Sequence, residues 1–352
     1  MNYFERKPQE IAIFRALQLG DLLVSVPALR ALRFANPEAI VTLIGLPWAR
    51  AFVSRFSMYL DDWIEFPGYP GLPEREPDMA AVPSFFAEVQ QRRFDLAIQM
   101  QGSGRISNGI LAGFRAKISA GFHPVGNVTV SPSSFLPYPE DLPEPLRLLR
   151  LMEHLGIPAQ GTYLEFPILQ DEWQAYEQMV RAENLRPGEY ICIHPGARAE
   201  ERRWPVERFA IVADRLSDQG WPIVITGSPE EVPLAAEMVG AMKRAPINLT
   251  GRTDLGVAAA WISQARLLIC NDTGVSHIAA ALNVPSVVLF SASDPLRWGP
   301  LNRKLHQVVT NAGAVPASNV IERAEKILSD QRMAPQSKSI QPKPAVFVQS
   351  SD

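Results

Sequence analysis

The stretch Leu267-Leu-Ile-Cys-Asn-Asp272-Thr-Gly-Val-Ser-His277-Ile-Ala-Ala-Ala-Leu282 changes period in its middle. Its first five residues form an apolar run closing on Asn271, as in a strand buried on both faces. From Gly274 onward, small and apolar residues follow a helical spacing. A buried strand, a glycine turn and a helix in close succession are the building unit of a parallel sheet covered by helices. The free N–H groups and positive dipole end at the start of such a helix favour a phosphate, and Gly274 lets a ligand approach the backbone closely. Asp272 or Thr273 could instead do no more than cap the helix. His277, about a turn further on, adds a second polar group at the same mouth.

The same alternation runs outward through the chain. In the first half it predicts strands over 11–15, 40–46, 63–66, 95–101 and 117–121, with helices near 22–35, 47–56, 79–92, 105–112 and 144–155. In the second half it predicts strands over 190–194, 222–227, 247–250, 267–271 and 286–291. Helices there fall near 171–184, 205–219, 230–242, 255–264 and 274–282, with a last amphipathic stretch at 319–328. This is an α/β chain of two doubly wound parallel-sheet domains of Rossmann type, 1–165 and 166–330, facing a central cleft. The turn-rich segment 157–170 holds the boundary. No internal sequence repeat relates the halves. The tail from about Ser329, 331–352 above all, is rich in Gln, Ser, Lys and Pro and is expected to be disordered. The proline-dense stretches 68–77 and 131–145 read as lids or irregular surface.

At 352 residues, with 47% hydrophobic and 20% charged residues, the chain can fill two cores. A net charge of −3 gives no overall attraction to nucleic acid or anionic lipid. The N-terminal run before Arg15 is too short for a secretory signal. The most apolar stretch, 267–292, is interrupted by Asn271, Asp272, His277, Asn283 and Pro285. A soluble, cytoplasmic protein is therefore expected, at most peripheral to a membrane. Cys192 and Cys270 lie in strand-like runs and read as core residues of a reducing compartment.

In open α/β sheets ligands sit beyond the carboxyl ends of the strands, and polar residues gather there. One exit is His194-Pro-Gly196-Ala-Arg198, leading to Glu200-Glu-Arg202-Arg-Trp-Pro205. Its arginines could neutralise a diphosphate, or simply pair with Glu200 and Glu201 on a solvated loop. Another is Thr226-Gly-Ser-Pro-Glu230-Glu231, whose carboxylates could take ribose hydroxyls or cap a helix. In the first half, Leu19-Gly20-Asp21 offers a close-approach glycine and a candidate general base. Gln99-Met-Gln101-Gly-Ser103-Gly-Arg105 offers a wall for a sugar. No G-x-G-x-x-G, D-x-D, G-x-S-x-G or P-loop is present, and the five histidines show no ligand spacing. No metal or cofactor is expected.

Taken together, several motifs resemble one family. They are Leu19-Gly-Asp21 with the helix from Pro27, His194-Pro-Gly-Ala, Arg202-Arg-Trp-Pro205, Thr250-Gly-Arg-Thr-Asp-Leu255, Asn271 to Ala280 and Ser293-Asp-Pro295. The resemblance, over nearly all of 10–330, is to the GT-B glycosyltransferases of family 9, heptosyltransferases that build the lipopolysaccharide inner core from ADP-heptose. It implies an inverting, metal-independent transfer with Asp21 as general base. Gly20, Gln101 and Ser103 then lie on the side of a glycolipid or other lipid-linked acceptor. It implies that Asp272, Thr273, Gly274 and His277 hold the nucleotide diphosphate-sugar, with His194, Gly196, Arg198 and Arg202 beside them. Thr253 and Leu255 would line the nucleotide, with Glu230 or Glu231 near its ribose. Such enzymes often carry Lys two residues before the Trp-Pro pair; Arg202 stands there, keeping the charge but changing geometry and reach, so donor identity stays open. Arg30, Arg33, Arg50 and Arg55 either face anionic groups of a lipid-linked acceptor or form a solvated face. A nucleotide-sugar epimerase and a non-catalytic sugar-nucleotide-binding protein remain alternatives.

Overall fold

Strands and helices alternate from end to end of the computed structural model, which describes residues 7–126, 131 and 133–333. The first unit, up to Leu164, runs β1 (Glu10–Phe14), α1 (Leu19–Leu23), α2 (Val26–Ala35), β2 (Ile40–Gly45), α3 (Ala49–Arg55) and β3 (Asp62–Glu65). It continues through α4 (Val82–Gln91), β4 (Leu96–Gln99), α5 (Ser107–Ala112), β5 (Ile118–His123), β6 (Phe135–Pro137) and α6 (Glu144–His154). The second unit, from Glu165, runs α7 (Gln170–Ala182), β7 (Ile191–His194), α8 (Val206–Asp218), β8 (Ile223–Ile225), α9 (Val232–Ala241) and β9 (Ile247–Asn248). It closes with α10 (Leu255–Ser263), β10 (Leu267–Asn271), α11 (Gly274–Ala281), β11 (Ser286–Phe290), α12 (Pro295–Trp298), β12 (His306–Thr310) and α13 (Ala317–Met333).

Each unit contains one six-stranded sheet, ordered β3-β2-β1-β4-β5-β6 in the first and β12-β11-β10-β7-β8-β9 in the second. Read from its other edge, the second is 9-8-7-10-11-12, the same winding as the first. Two halves without a sequence repeat thus share one topology. In both, the winding reverses direction at one place, between β1 and β4 and between β7 and β10. Such a switch point is where an open parallel sheet leaves a crevice beyond its strand ends.

The strands carry the cores because they are apolar on both faces. Ile11, Ala12, Ile13 and Phe14 of β1 and Leu267, Leu268, Ile269 and Cys270 of β10 are fully buried. Both cysteines are free, and burial pushes both thiols up, away from the reactive thiolate. Trp204 is fully buried in the second core, edge-on to Phe209 at 5.0 Å, and its backbone N–H reaches Asn271. Trp204→Ala should cost about 3–5 kcal/mol. A fall in denaturant midpoint with unchanged slope would register it, and an unchanged midpoint would contradict the packing role.

The structure departs from the sequence reading in several places. The helix expected over 22–35 is broken at Val24–Ser25, because Pro27 sits in the first turn of a new helix, α2. Two edge strands, β6 and β12, were not anticipated; β6 lies inside the stretch 131–145 taken for loop and ends on Pro137, whose missing N–H an edge position tolerates. The loop 68–77 is pinned by Arg75, which bonds Glu65 at 2.7 Å and the Phe66 carbonyl at 2.9 Å, and Tyr69 and Leu72 pack on the core. It is ordered surface. Helix α13 continues to Met333, past the expected start of the tail; the rest of that tail lies outside the described residues. Among the described residues, no helix is long and apolar enough to cross a membrane.

Arg30 and Arg33 are neither solvated nor turned to a ligand. Arg30 is 8% exposed, donates to the carbonyls of Gln160, Gly161 and Tyr163, and lies 3.8 Å over the Tyr163 ring. Arg33 holds the carbonyls of Pro37, Ala39 and Tyr59 and pairs with Asp61. Arg50 is exposed and Arg55 half-buried.

Candidate active site

In the second unit, register brings the polar groups together. β7 and β10 pair in parallel with His194 opposite Cys270, so the loops leaving both strands start side by side. Asp272 extends the ladder, its N–H reaching Leu289 of β11 at 2.9 Å. Asn271 then ties the exits together: its side-chain oxygen accepts from the Trp204 N–H at 3.0 Å, and its amide donates to the Pro195 carbonyl at 2.7 Å. One buried amide thus fixes the loop after β7 against the end of β10.

Asp272 is 3% exposed, accepts from the Ser293 hydroxyl and pairs with Arg202 at 3.8 Å. Of the two residues left as capping candidates, Thr273 makes no side-chain cap bond. It occupies the N-cap of α11 in extended conformation, and its carbonyl takes the Ser276 N–H and hydroxyl. The positive end of α11 therefore opens beside Asp272 and Arg202, with Gly274 half-buried in its first turn.

His194 is 6% exposed, with Nδ1 3.2 Å from the Thr226 hydroxyl and Nε2 3.7 Å from Glu231. Desolvation lowers its pKa, opposed by Glu231. Of the two adjacent glutamates, Glu231 turns inward. It accepts from the Ser228 N–H at 2.8 Å and fills the space beside Gly196 so closely that a Cβ there would run into its carboxylate. Glu230 points outward and is exposed; hydrogen bonds from its own N–H and from Ser228 lower its pKa. Arg198 is exposed, whereas Arg203 is committed to the Ala197 carbonyl at 2.8 Å and to Glu200 at 3.6 Å. The expected arginine trio is thus reduced to Arg198 and Arg202. Leu255 is 39% exposed at the start of α10, and the Thr250, Thr253 and Ser291 hydroxyls are enclosed with no partner among the described residues. Ser291 and Ser293 lie on the exit of β11, where the sequence offered the motif Ser293-Asp-Pro295 but assigned its serine no role.

His277 is 4% exposed, and its pKa is lowered to about 4, first by desolvation and then by Arg202. His306, hydrogen-bonded to Ser286 at 2.8 Å, is lowered to about 4 by desolvation and then by Arg303. Both rings are neutral at neutral pH. An unfolded histidine binds its proton near pH 6.5, so between about 6.5 and 4 the unfolded chain holds more protons and stability falls on acidification, by up to about 1.4 kcal/mol per pH unit for each ring. His306→Gln should shrink the loss of urea stability between about pH 7 and pH 5, and an undiminished loss would contradict this assignment.

In the first unit, Asp21 lies in α1, half-exposed, where its carboxylate accepts from the Gln18 N–H at 3.2 Å. It closes a capping box and faces solvent at the same time. Gly20 is helical, so space rather than a left-handed backbone is what it offers. Gln101 is 5% exposed; its oxygen accepts from the Ala16 N–H at 2.8 Å, while its Nε2 is buried with no partner among the described residues. Ser103 is half-buried between Gly102 and Gly104. At Gly104, φ is +86° and a Cβ would strike Asn108 and the Phe122 carbonyl, so only glycine fits. Both loops leave the switch point of their own sheet. Among the described residues, no three His, Cys, Asp or Glu side chains gather as metal ligands would.

The sequence model of glycosyltransferase family 9 (heptosyltransferase) matches residues 82–328, which include the whole β7–β10 site. The chain belongs to glycosyltransferase family 9. It is a glycosyltransferase of the two-unit α/β GT-B fold. Among its relatives, the lipopolysaccharide core heptosyltransferase OpsX of Haemophilus influenzae is 24% identical over 312 residues, 86% of this chain and 84% of that one. A family 9 glycosyl transferase from Veillonella parvula superposes with a TM-score of 0.77 at 23% identity, over 94% of this chain and 100% of the other. The E. coli ADP-heptose lipopolysaccharide heptosyltransferase II gives 0.70 at 20% identity, over 92% and 99%.

Proposed function

We propose that this family 9 enzyme transfers a heptose or related sugar from a nucleotide-diphosphate donor, ADP-heptose foremost, to a lipopolysaccharide-core or other lipid-linked acceptor. The second unit holds the donor and the first holds the acceptor. The observation that carries the reading is the set built on β10: the open N-terminus of α11, Asp272 fixed by Ser293, and Arg202 beside it. A helix N-terminus and a guanidinium can receive the negative charge that grows on a departing diphosphate. In this reading Thr253, Leu255 and Glu230 or Glu231 line the nucleoside, and His194, Gly196, Arg198, Thr273, Gly274 and His277 border the diphosphate-sugar.

Asp21 removes the proton of the acceptor hydroxyl as its oxygen attacks the anomeric carbon from the face opposite the diphosphate. The bond to the diphosphate oxygen breaks as the new one forms, inverting the anomeric centre, and no metal takes part. Gly20, Gln101 and Ser103 border the acceptor. The protein works in the cytoplasm and meets its acceptor at the inner membrane surface.

The test supplies ADP-heptose with a panel of truncated lipopolysaccharide cores and measures ADP release together with the mass gained by the core. One heptose added per ADP released, with β-to-α or α-to-β inversion, is the expected result. ADP-heptose that is epimerised without any core, or that binds without ever reacting, overturns the reading.

A further inference from the structure

We propose that Arg15 is the positioning residue of the acceptor-side base. It acts through a buried charge network that bolts the backbone of Asp21 to the ends of β1 and β4. The proposal rests on the reading of Asp21 as base and adds the device that aims it.

Arg15 follows β1 directly and is 0% exposed. Each nitrogen of its guanidinium serves a different piece of chain. Nε donates to the Asp21 carbonyl at 2.9 Å, one terminal nitrogen donates to the Met100 carbonyl, and the other reaches Glu144 at 3.4 Å. The far oxygen of Glu144 takes Arg147, which is also buried. Arg147 in turn holds the carbonyls of Pro139 and Leu142, at 2.6 and 3.0 Å, and lies 4.5 Å over the Tyr138 ring. Beside this network Gln101, on the loop after β4, accepts from the Ala16 N–H.

The network reaches Asp21 where α1 is weakest. That helix has five residues, too few to be stable on its own. At its end the Ser25 N–H turns to the Leu22 carbonyl, and the Asp21 carbonyl takes the guanidinium. The only backbone acceptor of the residue carrying the base is therefore set by a planar, rigid fork anchored in the core. Two buried cations share one carboxylate, an arrangement that costs desolvation and is poor evidence of stabilisation. What it supplies is placement. An error of about 1 Å in a reacting group costs roughly 10²-fold in rate.

The experiment compares Arg15→Met and Arg15→Lys with the parent and with Asp21→Asn, using ADP-heptose and a truncated lipopolysaccharide core. Arg15→Met leaves the Glu144–Arg147 pair balanced and so is expected to fold. It should lower kcat by roughly 10²-fold with the donor KM unchanged, and Arg15→Lys, which keeps a donor and the charge, should recover part of the loss. In an Asp21→Asn background, Arg15→Met should lower the residual rate no further, because aiming matters only while the base is present. A merely structural arginine would lower Tm and the residual rate alike. Loss of rate that tracks Tm, full additivity, or a kcat within about threefold of the parent would overturn the proposal. Should Asp21→Asn itself turn over normally, the base reading falls and this proposal with it; a dead Asp21→Asn beside an active Arg15→Met defeats this proposal alone. Amide exchange over 18–25 tests the placement without turnover: Arg15→Met should speed it about tenfold, and unchanged exchange overturns the proposal.

Discussion

Asp21→Asn lowers turnover by roughly 10²–10⁴-fold, the range a positioned general base contributes, and leaves the dissociation constant of the nucleotide sugar within about twofold. The substitution is well suited to the question because of what Asp21 does for α1. Its carboxylate accepts the Gln18 N–H at 3.2 Å, and an asparagine oxygen can accept the same bond. The Asp21 carbonyl keeps its bond from Arg15. The helix start therefore survives while the proton acceptor is lost. Turnover measured as ADP release, with donor binding measured by calorimetry, separates the two effects. Undiminished turnover would remove Asp21 from the chemistry, and lost donor binding would show that it serves the other substrate.

The second large effect is expected at Arg202. Its guanidinium stands 3.8 Å from Asp272 with its side chain 43% exposed, so one end is committed to the buried carboxylate and solvent reaches the rest. Removing it takes a cation from the mouth of α11 and leaves Asp272 with Ser293 and the helix N-terminus. Arg202→Ala should cost roughly 10²–10³-fold in kcat, about 3 kcal/mol, as loss of one preorganised charge-stabilising donor does elsewhere. Arg202→Lys keeps the charge without the planar fork and should fall between the two. A panel of ADP-, UDP-, GDP- and dTDP-sugars run on both variants would show whether the arginine also chooses the donor. Full activity of Arg202→Ala would mean that the diphosphate is met elsewhere, with Arg198 the next candidate.

Most strands and helices could be read from the chain because their signals are local. The strand Leu267–Asn271 is apolar up to its last residue, and Gly274 and the small residues after it announce a helix. The break at Val24–Ser25 was also readable, from Pro27, but the apolar spacing of 22–35 concealed it. β12 begins with His306 and Gln307 and so lacks the apolar run of its neighbours; its place at a sheet edge explains why. Side-chain fates were less legible, since their partners are distant in sequence. Nothing in residues 27–32 says that Arg30 will be bound by Gln160, Gly161 and Tyr163, and nothing near Arg15 foretells Glu144. The same holds at the site. That Glu231 rather than Glu230 faces His194, and that Ser293 holds Asp272, depends on how β8 and β11 align with β7 and β10.

The repeated winding of the two sheets has a consequence for how such an enzyme can diversify. Each sheet has its own reversal, and the polar loops hang from the ends of strands whose apolar interior residues are buried in the core. Within each unit the loops can therefore drift in length and charge while the strands that carry them stay fixed. Under the proposed division of donor and acceptor between the units, substrate pairings become modular, much as a lock can be rekeyed on one side of a door while the other keeps its handle.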